Sequence, residues 1–144
     1  MSRSQSDVFV RSFQRALSSL PEIFRFIDEV LQQHRPSPGA LGDIRLAVDE
    51  LFTNMVRHQP GGGRRVDIAL EHRDGRIIIR MVDHEVDRFD PSSAQDPDFD
   101  APAEKRSEGG LGIYLARQLM GALRYDYDQQ RRTSTLTMEK VLEE

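Results

Sequence analysis

Cysteine is absent from the 144 residues. That removes a disulfide framework, a zinc–thiolate site and a cysteine nucleophile together, and it is compatible with a reducing compartment. Long apolar runs are absent too. No stretch approaches the roughly 18 consecutive apolar residues of a membrane span, and the opening MSRSQSDVFV lacks the apolar region of a secretory leader. No basic surplus exists either: 20 Lys and Arg stand against 24 Asp and Glu, a formal net charge of −4. A phosphate backbone wants a net basic surface, so direct nucleic-acid binding is not expected, nor is membrane insertion. No internal repeat is visible. What remains reads as one domain, residues 1 to 144, long enough to bury a core without covalent or metal staples.

The apolar pattern alternates between strand and helix. Residues 8 to 13 (VFVRSF) partly alternate and read as a first strand. Pro21, with Ser18 and Ser19 just before it, opens a helix in which Ile23, Phe24, Ile27, Val30 and Leu31 recur at spacings of three and four. The run Arg35-Pro36-Ser37-Pro38-Gly39 breaks the pattern. A second helix is expected from about Leu41, with Ile44, Val48, Leu51, Phe52 and Met55 as its stripe, until Pro60-Gly61-Gly62-Gly63 ends it. RVDIAL (65 to 70) and RIIIRMV (76 to 82) read as strands joined at Asp74-Gly75, a hairpin signal. Residues 87 to 109 are acidic and contain Pro91, Pro97 and Pro102, the pattern of a long mobile loop. GIYLARQLM (112 to 120) reads as a third helix, and residues 123 to 127 and 133 to 141 as two closing strands. The expected fold class is α+β: a two-layer sandwich with a mixed, mostly antiparallel sheet and helices on one face.

The second helix contains an unusual line, ELFTNMVRH. At about 100° per residue, Glu50, Asn54 and His58 fall within an arc of roughly 80°. The arc borders the apolar stripe, while Asp49, Thr53 and Arg57 point more nearly to solvent. A partly desolvated carboxylate there can act as a general base, and an amide oxygen can ligate a hard cation such as Mg²⁺. Taken alone, the line also fits ordinary boundary residues satisfied by their neighbours.

A second stretch, SEGGLGIYLARQLMGAL, places Gly109, Gly110 and Gly112 just ahead of the third helix. Glycines let backbone N–H groups approach a phosphate, and a helix N-terminus favours an anion. Neither the Walker A loop nor the dinucleotide fingerprint is satisfied, and a flexible hinge accounts for GGLG equally well when it stands alone.

Together, the two stretches resemble the bacterial anti-sigma-factor serine/threonine kinases, within the wider ATPase superfamily that includes gyrase and histidine kinases. The N-box of that family, E-x-x-x-N-x-x-x-H, is matched by Glu50, Asn54 and His58, and its later glycine box by SEGGLGIYLARQLM. The resemblance extends from the first strand to about Val141. It implies a histidine-kinase-like ATPase fold and binding of ATP with Mg²⁺. Glu50 would be the general base and Asn54 the metal ligand, with His58 bordering the phosphates. The loop from Asp87 to Glu108 would be an ATP lid; Gly109, Gly110 and Gly112 would cradle phosphate, and Lys105 or Arg106, ahead of them in that lid, would approach it. It further implies a cytoplasmic protein with two partners, a sigma factor and an anti-sigma-factor antagonist of the STAS type. It also implies a homodimer formed through the first strand and helix; the side bearing Phe24, Ile27 and Leu31 is apolar enough to help, or else simply packs on the sheet.

The middle box departs from the family pattern. Asp-x-Gly-x-x-Phe-Asp-Pro is expected, its Asp taking the adenine amino group. Here the chain reads Asp83-His84-Glu85-Val86-Asp87-Arg88-Phe89-Asp90-Pro91. Asp83 matches, Glu85 replaces the glycine, and one extra residue precedes Phe89. Glu85 would crowd the base and add a like charge near the nucleotide, unless the extra residue lets the loop swing it outward. Two functions therefore compete: an anti-sigma factor that phosphorylates its antagonist, and a sequestration-only binding module with weakened nucleotide binding. A histidine kinase is disfavoured, since no helical pair with a phospho-accepting His is expected ahead of the domain.

Overall fold

A computed structural model describes residues 7–58, 63–88, 110–120 and 123–142. Its strands are β1 (Asp7–Gln14), β2 (Arg65–Arg73), β3 (Arg76–Asp83), β4 (Leu123–Asp128) and β5 (Thr133–Val141). Its helices are α1 (Leu20–Leu31), α2 (Pro38–His58) and α3 (Gly110–Met120). The strands form one sheet in the order β1-β2-β3-β5-β4.

Every described ladder is antiparallel, where a mixed sheet was expected. The reason is the return of β5 between β3 and β4. Those two strands run in the same sense and would pair in parallel if adjacent, but Met81 and Tyr125 both pair with Leu136 from opposite sides. The β2–β3 hairpin turns at Asp74 and Gly75, whose φ of 52° and 75° are the left-handed values a two-residue turn requires.

Burial in β2 and β3 follows the period of two. Val66, Ile68 and Leu70 of β2, with Ile77, Ile79 and Met81 of β3, are fully buried. They face Ile23, Ile27 and Leu31 of α1, Ile44, Val48, Leu51 and Phe52 of α2, and Ile113, Ala116 and Met120 of α3 in one core. Each such side chain contributes about 1.5–3 kcal/mol on burial. The core thus lies between the sheet and its helical layer, as the strand and helix periodicities imply.

Two expectations need correction. α2 begins at Pro38, not Leu41, because Ser37 caps it: its Oγ accepts from the Ala40 N–H at 3.1 Å. Proline suits the first helical position, where its missing N–H leaves no bond unmade. The α1 side proposed for assembly is also consumed within the chain. Ile27 and Leu31 have no exposed surface, and Phe24 is half-buried beneath the Arg45 guanidinium, 5.1 Å from its ring centroid. The large apolar side chains left open on the first strand are Val8 and Val10, 53% and 65% exposed. No described helix is long and apolar enough to cross a membrane.

Candidate functional site

Glu50 and Asn54 stand one turn apart on α2, both half-buried, with a rise of about 6 Å between them. Val48, Leu51, Phe52 and Met55 drive into the core, which leaves their neighbours at its rim. Here the sequence pattern and the structure agree. His58 is the last residue of α2.

α3 packs across this rim, and Gly112 lets it come close. A β-carbon at position 112 would lie 2.5 Å from Oε2 of Glu50 and 3.4 Å from its Cβ and Cδ. The Glu50 carboxylate is therefore seated against the first turn of α3, where backbone N–H groups lack intrahelical acceptors. Burial pushes the Glu50 carboxyl above its ordinary value, Asp49 adds to the rise, and Arg57 opposes it. A carboxylate raised in this way is a stronger base than an ordinary one. The structure thus joins two motifs that the sequence shows far apart. Gly110 opens α3; Lys105, Arg106, Gly109 and Phe89-Asp90-Pro91 lie outside the described residues, as does most of the expected lid.

Asp83 ends β3 and is only 2% exposed. Its Oδ1 accepts from Nη1 of Arg15, while Nη2 of Arg15 donates to the Met55 carbonyl at 2.8 Å. Burial raises the Asp83 carboxyl above its ordinary value, although Arg15 and then His84 pull the other way. Sequence reasoning missed Arg15 entirely. Its partner is 68 residues away, and a lone arginine after a strand gives no local sign of it.

Glu85 holds a left-handed backbone, φ 56°. The position expected to be glycine has kept a conformation that glycine adopts freely. Its side chain is exposed. The following residues dock onto the β4–β5 hairpin. Val86 is buried, its N–H donates to the Arg132 carbonyl at 3.0 Å, and its carbonyl accepts from the Tyr127 hydroxyl at 2.8 Å. Arg132 also pairs with Asp87 at 3.1 Å. On its other side the segment meets Gly63, whose N–H donates to the His84 carbonyl at 2.6 Å.

Among the described residues, no group of three or more His, Asp or Glu is placed to hold a metal ion. A cation at this rim would depend on Asn54 and on oxygens brought by a ligand. The two halves of the site therefore differ. The Glu50–Gly112 side has a close glycine approach beside a carboxylate of raised proton affinity, whereas the Asp83 side has one carboxylate oxygen bonded to Arg15.

The chain is 29% identical over 96 residues to the serine-protein kinase RsbW of Listeria monocytogenes, and 28% identical over 96 residues to that of Listeria innocua. Each match takes in 62% of this chain and 60% of the relative, so the chain spans less than two thirds of the curated relatives' length. Among solved structures, the RsbU and RsbW domains of Rv1364c from Mycobacterium tuberculosis superpose with a TM-score of 0.65 at 15% identity, covering 94% of this chain and 32% of that one. The SiaB–SiaC complex from Pseudomonas aeruginosa gives a TM-score of 0.58 at 16% identity, covering 91% and 88%. At such identities the likeness is one of fold. The histidine kinase-like ATPase domain family matches residues 13–140, and with nearly the whole chain inside that match, the protein belongs to this family.

Proposed function

We propose that this chain is an anti-sigma factor and ATP-dependent serine/threonine kinase of a partner-switching system. It would sequester a sigma factor and phosphorylate a STAS-type antagonist that competes for it. The carrying observation is the Glu50 carboxylate seated against Gly112 with its proton affinity raised. The names of the Listeria relatives support a protein-kinase reading, and the association of SiaB with SiaC in the Pseudomonas complex supports a protein partner.

In this reading Glu50 accepts the proton of the antagonist's hydroxyl as the oxygen attacks. Asn54 offers its amide oxygen to Mg²⁺, and His58 borders the phosphates. The N–H groups around Gly109, Gly110 and Gly112 hold phosphate oxygens, with Arg106 adding charge. Bound Mg-ATP supplies the phosphoryl group. Such transfer is governed mainly by positioning and charge neutralisation, so this small set of groups is sufficient. A phosphate on the antagonist then adds charge at its interface and releases it.

The Arg15–Asp83 pair favours a second reading, a sequestration-only module with weakened nucleotide binding. Calorimetric titration with Mg-ATP, followed by assay of phosphoryl transfer to a STAS-domain substrate, separates the two. Micromolar binding and transfer that is lost in Glu50→Gln support the kinase. No binding at millimolar Mg-ATP supports sequestration alone.

A further inference from the structure

The resemblance makes Asp83 the acceptor for a purine amino group, and in this chain one oxygen of that acceptor is already bonded to an arginine. Arg15 holds it through a charge-assisted hydrogen bond from Nη1, and anchors itself through Nη2 to the Met55 carbonyl at 2.8 Å. Neither partner faces water: their side chains are 6% and 2% exposed. The backbone of Arg15 is fixed as well, its N–H donating to the Arg64 carbonyl at 2.8 Å. The guanidinium thus bridges α2 and the end of β3 from a held position at the end of β1.

An ionised carboxylate only accepts hydrogen bonds, and a guanidinium only donates them. A purine with a 6-amino group and Arg15 therefore ask the same thing of Asp83. To be selected there, the base must either share the carboxylate through Oδ2, its charge already largely neutralised by Arg15, or break the Arg15 bond in a desolvated setting, which is strongly unfavourable. Hydrogen bonds to charged groups are also the stronger ones. A purine lacking the amino group bears no such competition.

We propose that Arg15 is a specificity-determining residue of the nucleotide site: it competes with the base for Asp83 and so suppresses selection for the 6-amino group. This rests on the nucleotide-binding reading above. The site then holds its ligand chiefly through the phosphates and sugar, and discriminates poorly among purines. Arg15→Met keeps the apolar stem and removes the fork, which frees Asp83 for the amino group.

The test measures binding of Mg-ATP and Mg-ITP, which differ in the amino group at position 6, to the whole chain by calorimetry. Wild type is expected to bind the two within about two-fold. Arg15→Met is expected to bind Mg-ATP at least ten-fold more tightly, about 1.4 kcal/mol, with Mg-ITP nearly unchanged. Arg15→Lys, which keeps the charge but not the two-pronged grip, is expected to fall between, and serves if Arg15→Met does not fold. A merely structural arginine would shift both nucleotides together and leave their ratio alone. A wild type that already prefers ATP ten-fold overturns the proposal, as does a ratio unmoved in both variants; either result leaves nucleotide binding standing. Failure of every protein to bind either nucleotide at millimolar concentration removes the nucleotide reading itself, and this proposal with it.

Discussion

Gly112 and Glu50 share one space: a methyl group on the first would lie 2.5 Å from the carboxylate oxygen of the second. Gly112→Ala must therefore push the Glu50 carboxylate aside. The flexible end of that side chain can give way, so the fold should survive with Tm within a few degrees. Phosphoryl transfer should drop about 10²-fold or more, the usual scale for losing a general base. Parallel assays of melting and transfer check this. Loss of folding with unchanged specific activity in the surviving protein would contradict it.

The raised carboxyl of Glu50 sets a pH profile. A base must be ionised, so kcat/KM should fall on acidification through a limb lying above the ordinary carboxylate range of about 4.3. Asp49→Asn should move that limb down, since Asp49 raises the carboxyl, and Arg57→Gln should move it up. The stability effect has the opposite sense. The folded chain holds the Glu50 proton more tightly than the unfolded chain does. This contribution is full below the ordinary carboxylate value and is lost as pH climbs through the raised one. Glu50→Gln should therefore be neutral to stabilising at pH 7 while abolishing transfer. A marked fall in its Tm would show the carboxylate to be structural.

Glu85→Gly removes a side chain from a left-handed backbone, a conformation that costs a non-glycine residue about 1 kcal/mol. Melting should show a gain of that order, less the greater freedom of glycine in the unfolded chain. Nucleotide affinity should change little, because the Glu85 side chain is exposed. A several-fold gain in Mg-ATP affinity would reinstate crowding of the base.

His34 and His72 stack face to face, with centroids 3.7 Å apart and planes at 6°. Burial lowers the His34 value, His72 lowers it further, and Asp7 raises it. Nε2 of His34 finds no hydrogen-bond partner among the described residues. With a folded value depressed below the ordinary 6.5, the stabilising contribution is present above that value. It is lost as pH falls through the folded one. Melting temperature should drop on acidification from pH 7 to 5. The drop should be shallower in His34→Gln and steeper in Asp7→Asn, and identical slopes in all three proteins would remove His34 as the cause.

The sandwich was legible because its signals are local. The alternation in RVDIAL and RIIIRMV, the Asp74-Gly75 turn, and the stripes of α1 and α2 each act within a few residues. The Glu50–Asn54 line was legible for the same reason, being a periodicity on one helix. What the chain concealed depends on long-range packing. Nothing near Arg15 announces Asp83, and nothing in GGLG shows that Gly112 meets Glu50. The identity of Glu85 was visible in the sequence, while its left-handed backbone was not. The start of α2 was missed because Ser37-Pro38-Gly39 looks like a breaker, while Ser37 and Pro38 are in fact a cap and a first helical residue.

The return of β5 between β3 and β4 has a consequence for how this chain folds. Only the two hairpins, β2–β3 and β4–β5, can pair early from near neighbours. The seam joining them, Arg76 to Val141 through Asp83 to Ser134, waits for distant parts of the chain to meet, as does β1 against β2. Topologies with such distant pairings fold slowly for their size. The same seam makes the stretch between β3 and β4 a closed loop whose ends are fixed by the sheet. Within that closed stretch, Val86 is pinned to the β4–β5 hairpin by bonds to Arg132 and Tyr127, so the segment carrying the extra residue before Phe89 is tied to the last two strands and not only to the end of β3.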